Sequence, residues 1–519
     1  LGSPSSVVLT ITDNDSTGGG GSGSGGDSGG GSGGGGGCGY IKNDDGKGQK
    51  TKGEGLSFML MLIIALAGIA LRRIIAELKM RRAFFALIKG LSFFVVAVLL
   101  AQIAACGSGG GGDSSNSSNS SSGGSGGGTN ACSGFYASGF TLMSGMLNDP
   151  YPTLAKPVKG VAFADPIYHT CVVRATDHNA DGTLTFARND YSRRQAFNVD
   201  NSMYLINDAN GSWYLFNAST YARIKELTQL GGDAEPQWHP TNSDLVYWLP
   251  TNGGMVVNEL NVSTNVNRVV GNFTGRLPWS GAAHVWTKSE GSPSVDGRYW
   301  AFMVENSSFS ELGFIVWDLT TDTIVSSYTT SKRPDHLSMS PTGNYIVVSW
   351  DDGVMVFNPR LVHPRGEHSD IALDANGDDV YVSIDYEAAD GAVYMRNLRT
   401  GVRTDLFPSY LNGSATAFHF SGKAFNKPGW ALISTYGESG SKQWLHRKVF
   451  AVQLRANPTI YNLTHTHEVY QYISSFYFAE VHASVNHDFT KIVFNSNWDV
   501  NSGSDVDAYM VEIPAGALN

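Results

Sequence analysis

One short unit recurs seven times in the later part of the chain, and it constrains the fold more than any other feature. Each copy begins with a polar or charged residue, passes through a small residue to a turn near Asp-Gly or Asn-Gly, and enters an apolar strand. The copies lie at 194–206, 235–249, 290–304, 336–350, 368–384, 419–435 and 482–496. Measured at the turn, Asp200 to Asp488 covers six intervals of about 48 residues, and a four-stranded propeller blade takes roughly 40–50. Between copies, runs of Val, Ile, Tyr, Phe and Trp alternate with Asn, Asp, Gly and Pro turns, without long amphipathic helical patterns. Period and count predict an all-β, seven-bladed propeller over residues 131–519.

The rest of the chain cannot share that core. Of 62 Gly, 33 fall before residue 130, without the three-residue period of a collagen helix. The net charge of -10 is also uneven: residues before 130 carry +2, and the remainder carries the acidic excess. An acidic globular part is a poor match for a phosphate backbone, so nucleic acid is not an expected partner.

The form of the unit resembles TolB-like propeller repeats, marked by a Ser-Pro-Asp-Gly turn before a strand. Ser294-Val295-Asp296-Gly297 and Ser340-Pro341-Thr342-Gly343 come nearest. Aligned on the turn, the units place Arg194, Glu235, Glu290, His336, Asp370 (with His368 two before it), His419 and His482 in one column. In the repeats they resemble, this position starts the innermost strand, at one mouth of the central channel. Such residues often only satisfy the backbone or hold channel water. Four His among 13 in the chain is more than turn chemistry requires, and imidazole is both a common metal ligand and an acid/base near neutral pH.

Two readings follow. In one, the mouth binds a polar glycan or peptide through Arg194, Glu235, Glu290 and Asp370. In the other, His336, His368, His419 and His482, with Glu480, hold a divalent metal; imidazole with carboxylate suits Mn, Fe, Ni or Zn. The last unit resembles oligogalacturonate lyases, which have His-x-His ahead of a similar turn in a metal-dependent propeller; here Glu480 stands in place of the first His. That resemblance implies a metal-dependent lyase of uronate polysaccharides, with a His or Tyr taking the α-proton. No Walker loop, dinucleotide fingerprint or nucleophile elbow occurs, so no nucleotide cofactor is expected.

The N-terminal quarter reads as anchor and tether. Residues 80–106 combine a basic start, an apolar run and Ile103-Ala104-Ala105-Cys106. They resemble a bacterial lipoprotein signal, in which Cys106 becomes lipidated; the other reading is a second transmembrane helix. Residues 107–130 form a Gly/Ser/Asn tether. Upstream, residues 1–16 resemble the closing strand of a Calx-β domain. Residues 17–56 are a Gly-rich linker expected to be disordered, and 57–79 an apolar transmembrane or sorting helix. Together they resemble the tail of another surface protein joined to a lipoprotein starting at Met80; the other reading is a genuine fusion with a double-pass anchor. The expected location is bacterial, membrane-anchored, facing the periplasm or exterior, with membrane lipid as a partner. In such an oxidising compartment Cys132 and Cys171 either pair as a disulfide or remain two buried thiols.

Two smaller patterns complete the reading. Asp177-His-Asn179-Ala-Asp181-Gly182 matches the opening of a calcium loop, with an Asx turn as the plainer choice. His465-Thr-His467-Glu468 places two His on one face of a strand, spaced for a metal.

Overall fold

The computed structural model describes residues 10–12, 40–42 and 130–518, apart from 184, 289 and 357–359. Thr10–Thr12 pairs antiparallel with Tyr40–Lys42, so part of the stretch expected to be linker is strand. The apolar segments at 57–79 and 80–106, Cys106 and the tether to 129 lie outside the described residues. Among the described residues, no helix is long and apolar enough to cross a membrane.

The seven-bladed propeller forms as expected. Blade 1 contains Met203–Asn207, Trp213–Asn217 and Arg223–Glu226, with Phe197 bridging Tyr204 where an innermost strand would run. Blades 2 to 6 are four-stranded antiparallel sheets whose innermost strands are Gln237–Trp238, Ala282–Trp286, His336–Met339, Ser369–Leu373 and Ala415–Ser421. Blade 7 closes the ring with strands from both parts of the domain. Ser484–Val485, Lys491–Ser496 and Val506–Glu512 are followed by Cys171–Arg174 and Ala162–Ala164.

The recurring turn explains why the unit is visible in sequence. In blades 3 and 4, the Ser294 and Ser340 hydroxyls accept from the backbone N–H of Tyr299 and Tyr345. Gly297 and Gly343 adopt φ of 70° and 76°, where a side chain is disfavoured. Asn198 and Asn486 do the work of the Ser, their Oδ1 accepting from Met203 and Lys491 N–H. The strand beyond each turn is apolar because neighbouring blades cover both its faces: Ile346–Trp350 is buried throughout. At the rim, Thr323–Thr329 is mostly exposed.

Apolar clusters join every pair of neighbouring blades. Leu205 and Trp213 pack with Val246 between blades 1 and 2; Val257, Phe302 and Val348 connect blades 2, 3 and 4. Val354 packs with Ile371, Val382 with Phe418, and Leu432 with Ile492. Val173 and Met510 with Tyr204 complete the circle between blades 7 and 1.

Residues 130–164 strap blades 6 and 7 together. Cys132 and Cys171 form a disulfide with Cα atoms 6.0 Å apart. Ser144 bridges Tyr461 on the outer strand of blade 6, and Asp149 pairs with Lys448 at 3.0 Å. Lys156 reaches Asp505 and Asp507 at 2.7 and 3.0 Å.

Candidate metal centre

Most of the ionisable column staples one blade to the next. Glu235 accepts from Thr287 N–H with both oxygens, at 3.1 and 2.9 Å. Asp370 accepts from Gly422 N–H at 2.7 Å and pairs with Lys423 at 2.9 Å. Arg194 donates to Pro236 O at 3.3 Å and pairs with Asp190 at 2.6 Å. His368 Nδ1 donates to Phe418 O at 2.8 Å. In each case the acceptor or donor is backbone of the following blade. Arg194, Glu235 and Asp370 are therefore engaged in the scaffold. Glu290, the fourth expected ligand-binding residue, instead groups with Asp335 and His336.

Three expected metal ligands do meet. The ligand atoms of His419, Glu480 and His482 lie within 4.8 Å of one another. Glu480 Oε2 is 2.9 Å from His419 Nε2 and 3.4 Å from His482 Nε2. Two ligands each about 2.1 Å from one ion stand about 3 to 3.5 Å apart, so the set fits a divalent cation. All three side chains are buried. His482 has φ of 38°, a conformation seldom kept outside functional or turn positions. Tyr470 Oη donates to Glu480 Oε1 at 2.9 Å, orienting the carboxylate as an outer ligand shell does. Tyr436 stacks on His419 with ring centres 4.6 Å apart.

Electrostatics favour ligation over protonation. The basicity of His419 falls well below the usual value through burial, then through His482, His368, Arg193 and Arg188. His482 falls likewise through burial, then Arg188, His368 and Arg193. Neutral imidazole is the form that binds a metal. His419 Nδ1 is buried without a hydrogen-bond partner.

The other two expected ligands stand outside this set. His368 stacks on His419 with ring centres 4.5 Å apart, but its Nδ1 is spent on Phe418 O. His336 belongs to a second group with Glu290 and Asp335. Arg193 Nη1 bonds His336 Nδ1 at 2.7 Å and Glu290 at 2.7 Å, while Lys288 pairs with Asp335 at 3.2 Å. Fixed cations already satisfy those carboxylates. A third group, His178 with Asp505 and Asp507, is engaged the same way by Arg174 and Lys156.

Sequence reasoning missed Arg193, Tyr191 and Arg188. Arg193 neighbours the Arg194 that was chosen, and a one-residue shift along an extended chain turns a side chain to the other face. Tyr191 lies ahead of the first repeat unit, yet its ring centre is 4.7 Å from that of His482 and 5.5 Å from that of His419.

The two smaller patterns serve the scaffold. Asp177 caps a single helical turn, His178–Asp181, accepting from Asn179 and Ala180 N–H; Asp181 pairs with Lys159, so the calcium loop does not form. His465 sits between Asp165 at 3.0 Å and Asp149 at 3.3 Å. His467 pairs with Asp499 at 3.0 Å. At the other end of the inner strands, an open groove is lined by Gln195, Gln237, Lys423 and Phe425 among others.

The sequence matches no family profile and no curated protein. Among solved structures it is similar to the oligogalacturonate lyase of Vibrio parahaemolyticus, at 12% identity and TM-score 0.49, over 69% of this chain and 99% of that one. It is also similar to an oligogalacturonate lyase in complex with manganese, at 15% identity and TM-score 0.47, over 69% of this chain and 97% of that one.

Proposed function

We propose that this propeller binds a polar ligand, a glycan or peptide, at the axial mouth beside a divalent cation held by His419, Glu480 and His482. The buried convergence of two imidazoles and one carboxylate is the observation that carries the reading. Two nitrogen donors suit Mn or Zn better than Ca, which takes oxygen ligands. A cation there would attract and polarise an oxygen-bearing group of the ligand. Metal analysis of the purified protein, with saccharide-array binding before and after EDTA, tests this. Metal-free protein whose binding ignores EDTA would retire it.

The second reading is a uronate polysaccharide lyase, favoured by the pairing of Tyr191 with Arg193. Arg193 Nη2 donates to Tyr191 Oη at 3.3 Å, with the guanidinium 5.0 Å from the ring centre. A phenol oxygen held by a guanidinium suits Tyr191 as the group that takes the α-proton next to a uronate carboxylate. Ultraviolet detection of unsaturated uronate products separates the two: product supports the lyase, binding without product supports the module.

The setting we propose is a bacterial membrane surface, with the propeller tethered through lipidated Cys106 and facing the periplasm or exterior. Labelling with radioactive palmitate should be lost in Cys106→Ser. A native peptide spanning residues 74–90 would instead show that the upstream segment belongs to the same mature chain.

A further inference from the structure

Among the described residues, four arginines are buried in the propeller: Arg174, Arg188, Arg193 and Arg194. Three have a carboxylate: Arg174 has Asp507 at 2.7 Å, Arg193 has Glu290 at 2.7 Å, and Arg194 has Asp190 at 2.6 Å. Arg188 has none within ion-pair distance among the described residues. Its three hydrogen bonds all leave from Nη1, to Asn189 O at 3.1 Å, Asp190 O at 2.7 Å and His482 Nδ1 at 3.1 Å. Its Nε is buried without a hydrogen-bond partner. Aromatic rings surround the guanidinium, with the centres of Phe478, Phe186 and Tyr477 at 5.0, 5.4 and 5.9 Å.

Burying a charge without a counter-charge is costly, and aromatic faces return only part of that cost. The Nη1 end of Arg188 is fixed, which leaves the edge formed by Nε and Nη2. That edge is the one a guanidinium offers in a two-pronged bond to a carboxylate. The Nη1 contact with His482 Nδ1 sets Arg188 beside the cation centre, where Glu480 is, among the described residues, the one carboxylate within reach of His419 and His482. Ligation through His482 Nε2 would put the imidazole proton on Nδ1 and release that contact. With a divalent cation added, the mouth carries excess positive charge that a neutral ligand leaves unbalanced.

We propose that Arg188 is the anion-recognising residue of this mouth, and that the group it takes is a carboxylate of the bound ligand. The inference rests on the proposed mouth for its location, and its test needs no cation. The full-length protein in detergent, stripped with EDTA, is titrated by calorimetry with glucuronate, with the side-chain carboxylate of N-acetylaspartate amide, and with neutral glucose. At least one carboxylate should bind while glucose does not; the tighter of the two names the source as sugar or peptide. Arg188→Lys, which keeps the charge but loses the fork, should weaken that binding about tenfold or more in protein shown by circular dichroism to be folded. Arg188→Gln should abolish it. Glucose binding as tightly as glucuronate, carboxylate binding unaltered in Arg188→Lys, or no carboxylate binding even after manganese is restored, would overturn the assignment. Cation uptake is measured separately: its absence alongside Arg188-dependent carboxylate binding would remove the cation reading and leave this one.

Discussion

Both carboxylate oxygens of Glu235 accept the backbone N–H of Thr287, which belongs to the next blade. This contact turns a residue chosen as a ligand contact into a staple between blades 2 and 3. Glu235→Ala leaves a buried N–H unpaired and should cost about 1–3 kcal/mol. Urea unfolding should show that loss, while manganese uptake stays unchanged. An equal loss of metal would instead return Glu235 to the binding site.

The cation centre makes the opposite prediction. His419→Ala and His482→Ala each remove one of three ligands and should weaken Mn or Zn binding by about 10–100-fold or more. Calorimetry on folded variants measures it. Wild-type affinity in the double variant would rule out these imidazoles as ligands.

Acid stability should depend on Asp507. Burial, the largest influence, pushes its carboxyl up, but the His178 hydrogen bond, then Lys156 and Arg174, hold it down at about 2, against 3.8 for the free group. A depressed folded value stabilises the protein above the unfolded value. The contribution, about 2 kcal/mol, is therefore complete above roughly pH 4 and lost as pH falls through 2. Asp507→Asn should flatten the denaturation profile across that window. An unchanged slope would show that Asp507 is not the group responsible.

The disulfide fastens the strap to the closing blade. Cys132 and Cys171 are 39 residues apart, and a crosslink over such a loop contributes about 2–4 kcal/mol. Melting temperature should fall in the Cys132→Ser, Cys171→Ser double variant and in reductant. Reductant should leave the variant unaffected.

The propeller was legible because its turn chemistry repeats. Ser294, Ser340, Asn198 and Asn486 each accept a turn N–H, so small polar residues recur at fixed intervals even where the Pro and Gly do not. That His419, Glu480 and His482 come together follows for a related reason: the repeat aligns the blade starts, and Glu480 stands two residues before the last of them. Which aligned residue faces the axis was not legible. Arg194 and Arg193 differ by one position, and only the local path of the chain sends Arg193 to His336 and Glu290. Asp370 and Glu235 hold backbone of the next blade, and in sequence such a carboxylate looks like one that awaits a ligand. Arg188 and Tyr191 belong to no repeat, so periodicity carries no information about them.

The way blade 7 is shared has a consequence for biosynthesis. Arg174 pairs with Tyr509, about 335 residues further along the chain. At roughly 5–20 residues per second, the ribosome takes about 17–67 s to cover that distance. Throughout that interval the edge of Cys171–Arg174 that later receives Val506–Glu512 has no partner. Six blades can be made while the ring stays open, and an unpaired apolar strand is a site for pairing with other chains. The Cys132–Cys171 bond joins residues made early, so it can form before closure and hold the waiting strand to its strap.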